Sequence, residues 1–217
     1  MLAGRSPRRF LTSARELRRR AGIEPASRRL LLGVIVPLWI GGGLLDWLCH
    51  RRSDIEHTAG THEALVHALM MSEAGGPVML ASFFEVNAGL IAYTLAALAC
   101  HQLTAVWDVS YAESRRQVTQ AEQHVHGILE QVPVMATAFI VALHWDQARA
   151  LVGAGGEPRR LKLELKRQPI SRGARVRLLA AVALFGVAPY AEEILRCRRV
   201  DPGAQPHGEA EPPLSEG

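Results

Sequence analysis

Three cysteines, Cys49, Cys100 and Cys197, are all that this chain of 217 residues contains, and they have neither zinc-finger spacing nor the density of a secreted disulfide scaffold. The sequence also lacks a Gly-rich phosphate loop, a nucleophile elbow and any solenoid repeat, so nothing in it points to nucleotide binding, serine hydrolysis or a repeat scaffold. No small-residue cleavage site follows the first apolar run, which is therefore expected to be a retained span rather than a signal peptide.

What is abundant is apolar sequence, 48% of the residues. Leu30 to Cys49 is about the twenty residues that a helix needs to cross the hydrocarbon core, with Asp46 as its one charge. Pro77 to Cys100 is a second run, interrupted by Glu85 and Asn87; Val132 to Trp145 and Leu178 to Leu195 follow. The net charge of +4 does not argue for nucleic acid, because of the 25 Lys and Arg residues nine lie in 1–29 and nine in 149–177, each block beside an apolar run. The first block reads as a contact for lipid headgroups.

Four crossings alone would put these two blocks on opposite sides of the membrane, against the positive-inside rule. The conflict disappears if residues 54–75 also cross, turning their polar groups inward within a bundle. The expected fold is thus all-α, an integral membrane bundle of four to five spanning helices around an inward-facing His/carboxylate cluster. Its helices are expected at 30–50, 54–75, 77–105, 110–148 and 177–196. A basic cytoplasmic segment occupies 1–29, the bundle 30–148, a basic loop 149–176, a last membrane helix 177–196 and a disordered tail 197–217. Seven basic residues are left for the other face, three of them in 196–199, which weighs against this topology. The expected location is a bacterial inner membrane, multi-pass, with the N-terminus cytoplasmic.

The polar residues of these helices carry the chemistry. Asp46 and His50, Glu63 and His67, and Glu122 and His126 are each four residues apart, so each pair presents a carboxylate and an imidazole on one helix face. At about 1.5 Å per residue, Glu63, His67, Glu85, Glu122 and His126 are expected to share a layer deep in the membrane. Asp46, His50, Glu56, His101 and Asp108 are expected nearer the outer end. His124, two residues from Glu122, would point away. His57, His62, His144 and Glu73 read as structural or interfacial, and Arg115 and Arg116 as solvated or as neutralising carboxylates. Gly41, Gly42, Gly43 and Gly60 read as sites of close helix approach, Asn87 as a hydrogen-bonding group across the bundle, and 161–166 as a short strand or an interfacial segment. Cys49 with Cys100 could form a disulfide, be soft ligands, or do neither.

Mixed carboxylate and imidazole ligands inside a helical bundle suit iron or manganese, with zinc or copper also compatible. The leading expectation is a mononuclear or dinuclear metal site doing redox or oxygen chemistry on a hydrophobic, membrane-dissolved substrate. Three other readings stay open: a metal or proton transporter or relay, a b-type haem protein with two of His50, His67, His101 and His126 as axial ligands, and a purely structural polar cluster. No nucleic-acid partner is expected, and the oligomeric state is open.

The stretches "DWLCHRRSDIEHTAGTHEALVH", "FFEVNAG", "HQLTAVWDVSYAESRRQVTQAEQHVH" and "ILEQVPVMATAFIVALHW" resemble a family of small, uncharacterised bacterial integral membrane proteins over roughly residues 30–150. The resemblance implies a bacterial membrane protein. Some members carry a diguanylate cyclase label, but this chain has no GGDEF-type motif. It also lacks the HxxxH and HxxHH boxes of the membrane desaturases, which it resembles in placing histidines beside spans. Its ExxxH spacing differs from the ExxH of ferritin-like di-iron enzymes. Asp46, His50 and His62 resemble the Asp/His/His copper site in the membrane subunit of particulate methane monooxygenases.

Overall fold

The computed structural model describes residues 23–167 and 169–200. The basic segment expected at 1–29 and the tail expected at 197–217 therefore lie largely outside the described residues. Within them the protein is all-helical, and five helices are long and apolar enough to cross a membrane. It is an integral membrane protein.

Helix α1 runs as Ile23–Leu30, a π-helical turn Leu31–Ile35 and then Val36–Arg52. Helix α2 is Gly60–Phe83, α3 Ala88–Glu113 and α4 Gln120–Leu143, followed by the short α5, Trp145–Leu151. Helix α6 runs as Arg172–Ala181, a second π-helical turn Val182–Val187, and Ala188–Val200. Both π turns have the same physical origin. Each is followed two residues later by a proline, Pro37 or Pro189, which has no amide hydrogen for the carbonyl four residues back and whose ring crowds it. The widened turn accommodates that proline without breaking the helix.

Side-chain caps start three of the helices. The Asn87 Oδ1 accepts from Leu90 N at 3.0 Å, the Thr119 Oγ1 from Glu122 N at 3.3 Å and the Ser171 Oγ from Ala174 N at 3.2 Å. Asn87 is thus a cap rather than a bond across the bundle. Helix α1 packs along α4, α2 along α3, and α6 against α2. Gly42 permits the first of these contacts, since a Cβ there would lie 2.9 Å from the Leu129 side chain. Gly43 similarly faces the Tyr190 hydroxyl, whereas Gly60 serves a turn at φ +66°, not packing.

Several boundaries differ from the expected ones. Residues 110–113 belong to α3, α4 begins only at Gln120, and α2 continues to Phe83. The last helix starts at Arg172 and carries on through Val200. Periodicity is blind to these ends because apolar and polar faces alternate smoothly across them; caps such as Thr119 decide them instead.

Residues 160–166 form an extended strap rather than a strand of a sheet. It lies antiparallel to the α2–α3 connection, with Glu85 N donating to Glu164 O at 2.8 Å and Lys166 N to Phe83 O at 3.0 Å. The Asn87 side chain also donates to Lys162 O at 2.7 Å. Gly89 lets the strap approach, because a Cβ there would stand 2.1 Å from the Leu161 carbonyl oxygen. Gly89→Ala is expected to push the strap off and cost about 1–3 kcal/mol, as overpacking does. Limited trypsin digestion checks this: Arg159 and Arg160 should become cleavable faster than in the unchanged protein.

Large apolar side chains cover much of the outside of the bundle, and polar ones share its interior with Ile55, Leu90, Ile91 and small apolar residues. Leu32, Leu103, Val106 and Leu184 are each more than 60% exposed on the outside of the bundle, where lipid would cover them. Among the buried residues are Asp46, His50, Glu63, His67, Asp108, Glu122 and Glu193. Charged side chains are almost never fully buried unless paired, so the interior is organised around polar chemistry.

Candidate metal centre

The three i,i+4 pairs converge on one point. Asp46 and His50 stand near the end of α1, Glu63 and His67 near the start of α2, and Glu122 and His126 near the start of α4. Asp108 comes from α3 and Glu193 from α6. All lie within about 10 Å of one end of the bundle, counting helical rise from the helix termini. The two layers expected from the sequence are therefore a single cluster, shallower than the deep layer proposed. The difference follows from helix starts, since Glu122 is in the first turn of α4 and not partway down a longer helix.

Three of the expected residues lie elsewhere. Glu85 is in the connection after α2, at the opposite end, where its carboxylate accepts from Arg167 N at 3.0 Å. Glu56 sits in the short turn Ile55–His57 and pairs with Arg196. His101 lies near Glu73, 3.8 Å away, and outside the ligand groups. His62 packs on Trp107 and Tyr111, so the Asp46/His50/His62 triad is not assembled. His124 is exposed, and Cys49 and Cys100 are free thiols.

Three ligand-type atoms, from Asp46, His50 and His126, surround one point, and a Glu122 oxygen lies beside them. Asp46 Oδ1 lies 3.0 Å from His126 Nε2 and 3.6 Å from His50 Nε2; Glu122 Oε1 lies 3.4 Å from His50 Nε2 and 4.0 Å from His126 Nε2. Bonds of about 2.1 Å to a common cation place neighbouring ligand atoms roughly 3.0–3.5 Å apart, so two of these four separations, 3.0 and 3.4 Å, have the length of an edge of a coordination polyhedron. Asp46 Oδ1, His50 Nε2 and His126 Nε2 are buried and have no hydrogen-bond partner among the described residues. Atoms so placed and without hydrogen bonds need an account; a cation between them is one, and a proton shared by Asp46 Oδ1 and His126 Nε2, 3.0 Å apart, is another.

A second set adjoins the first. His67 Nε2 is 3.2 Å from Asp108 Oδ2 and 4.0 Å from Glu63 Oε1, which is itself 4.0 Å from His50 Nε2. His50 and His67 are stacked in parallel, ring centroids 4.4 Å apart.

Two groups that spacing did not single out as ligands organise the cluster. The Glu193 carboxylate meets Nδ1 of both stacked imidazoles, at 3.0 Å for His50 and 3.1 Å for His67. Accepting a hydrogen from each Nδ1 fixes the tautomers and leaves both Nε2 lone pairs facing the cluster, the orienting role that carboxylates play behind metal-bound histidines. Arg116, from the α3–α4 connection, forks across Glu63 and Glu122: its Nη2 donates to Glu63 Oε1 at 2.5 Å and also to Glu122 Oε1, and its Nη1 to Glu122 Oε2 at 3.0 Å. Burial works against its charge, but the bonds from the Glu122 and Glu63 carboxylates outweigh it and raise the guanidinium pKa. Arg116 thus neutralises carboxylates, one of its two expected roles. Glu193 carried one available signal, a carboxylate set within an apolar run of the last span.

The donor set fits a metal. With the histidines neutral, five buried carboxylates against one guanidinium leave a large negative excess, which a membrane interior does not tolerate uncompensated. Fold and site together define a class: an integral membrane helical protein whose buried His, Asp and Glu groups can hold a metal ion. No protein-family model, curated protein or solved structure matches this chain.

Proposed function

We propose that the protein is a membrane metalloprotein with a dinuclear centre, carrying out redox or oxygen chemistry on a small apolar, membrane-dissolved substrate. The observation that carries this reading is the convergence of three buried, unpaired ligand atoms, Asp46 Oδ1, His50 Nε2 and His126 Nε2, on one point. Asp46, His50 and His126 would hold one cation, and Glu63 and His67 would take part in holding the other, with Glu122 and Asp108 standing beside them. Two divalent cations match the excess charge of the cluster, and the carboxylate-rich, thiolate-free donor set favours iron or manganese. When bound, such a pair supplies electron transfer and oxygen activation.

The chain's own groups supply the rest. Glu193 orients the two stacked imidazoles, Arg116 keeps Glu63 and Glu122 side by side, and Trp39, Met70, Met71 and Leu129 form the apolar side of a small cavity whose other side is the cluster itself. A b-type haem is disfavoured, because His50 and His67 stack at 4.4 Å with both Nδ1 atoms tied to one carboxylate and no porphyrin fits between them. Transport is disfavoured because Arg116 closes the nearer end. For orientation, the start of α1, the 149–177 block and the start of α6 share one end of the bundle, which the positive-inside rule assigns to the cytoplasm of a bacterium. The cluster would then lie toward the outer face.

Elemental mass spectrometry of the detergent-purified protein tests this reading. Near-stoichiometric iron, manganese, copper or zinc is expected, and Glu193→Gln should weaken metal affinity by about 10–100-fold, as loss of an orienting partner does. Folded wild-type protein free of metal would overturn it.

A further inference from the structure

Below the cluster lies a second group of buried polar side chains that metal binding does not use. His101 on α3 is buried with the Met70 backbone beside it, neither ring nitrogen makes a well-aligned hydrogen bond among the described residues, and the nearby Glu73 Oε2 on α2 makes none either. Thr104 Oγ1 donates to the other Glu73 oxygen at 3.0 Å. Unpaired groups at this depth are costly unless they serve a purpose or meet water.

Two small cavities share His101 as a wall, and Glu73 lines the second. The first, about 40 Å³, touches Asp46, His67, Asp108 and His126 on the cluster side and His101 and Glu130 on the other. The second, about 20 Å³, is bounded by His101, Glu73, Thr94 and Thr137. Since one water needs roughly 10–15 Å³ and two or more polar partners, both can hold water. Pro77 and Pro133 line the second cavity. Lacking amide hydrogens, they free the carbonyls of Glu73 and Leu129 from their helices, adding acceptors nearby.

We infer that His101 and Glu73 form a proton-relay station between the metal cluster and the interior of the bundle. The inference rests on the metal reading above. On the nearer side the cluster is closed by Arg116, and a fixed guanidinium repels protons and other cations. Protons that leave the cluster when a metal displaces them therefore travel by the wet side, past His101. A proton delivered by cavity water binds Nε2 of His101 while the proton on Nδ1 passes to Oε2 of Glu73, 3.8 Å away, a gap that a small rotation of the carboxylate closes. The imidazole ends neutral and the carboxylate protonated, and the carboxylate returns to its anion by giving that proton to water of the second cavity, which it lines. The charged or titratable groups around the station are Glu73, Glu130, Asp108, His67, His126 and Asp46.

The test mixes zinc, a redox-silent probe, with metal-free full-length protein in detergent and follows proton release with a pH dye by stopped flow. Zinc stoichiometry is measured on the same samples. His101→Ala and Glu73→Gln are expected to bind as much zinc as the wild type while releasing protons about 10²-fold more slowly, the lower range for loss of a positioned proton-transfer group. Free imidazole in the buffer should restore the rate of His101→Ala, which a packing defect would not allow. Wild-type release rates in both variants, with zinc bound, would overturn the relay and leave the metal reading standing. A wild type that binds no zinc would overturn both. Matching elution volumes and circular dichroism establish that the variants are folded.

Discussion

Arg116→Ala should lower the stability of the metal-free protein by about 3–5 kcal/mol, the usual consequence of removing one partner of a buried ion pair. The guanidinium side chain is only 3% exposed and forks across Glu63 and Glu122, both fully buried. Without it, two carboxylates face each other with no fixed positive charge, and the cluster must either take up protons or admit water. In a helical domain of this size the change corresponds to roughly 10 °C in the melting midpoint. Arg116→Lys should recover only part of it, because an ammonium cannot bridge two carboxylates in a planar fork. Added divalent cation should stabilise Arg116→Ala more than the wild type, since the cation then offsets more of the charge. The measurement is a thermal melt in detergent with and without metal. A variant that melts with the wild type would mean that Glu63 and Glu122 are already neutral, and the charge argument for two cations would fall.

The parts of this site that were legible in the sequence are those that depend on local geometry alone. A carboxylate and a histidine four residues apart share a helix face wherever the helix begins, so the pairs on α1, α2 and α4 could be read directly. Depth was not legible in the same way, because it depends on where each helix starts. An error of several residues at α4 separated Glu122 and His126 from Asp46 and His50, which the structure places together. Glu85 was drawn into the cluster for the complementary reason: it interrupts an apolar run, but that interruption is the break between α2 and α3, and its carboxylate serves the strap.

Glu193 shows a different limit. It has no histidine four residues away, and its partners are 143 and 126 residues distant in sequence. The packing of α6 against both α1 and α2 brings it behind the imidazoles. The sequence around Glu122 reads equally well as a capping box, Thr119 with Glu122 three residues on. The threonine does cap α4, but the glutamate side chain turns to Arg116 and the cluster. A residue type suited to two roles is assigned by what surrounds it in space, which a local pattern does not contain.

The division of the cluster into two metal sites leads to the other large effect. Asp46 and His126 belong to the first ligand group alone, and Glu63 and His67 to the second alone; His50 is common to both, and Asp108 stands 3.2 Å from His67. Asp46→Ala and His126→Ala should therefore each lose one equivalent of metal and keep the other, because Glu63, His67 and Asp108 are untouched. Asp108→Ala should do the converse, and Asp46→Ala combined with Asp108→Ala should bind none. The physical reason is that a site with three or four protein ligands has little affinity to spare once one of them is gone, while the neighbouring site loses only a distant group. Elemental analysis of the four proteins, purified identically, decides the matter. If every single variant loses all its metal, the cluster holds one ion shared among all the ligands and the centre is mononuclear. If none loses any, the unpaired atoms at Asp46, His50 and His126 are answered by protons, and the proposed metal chemistry has no site.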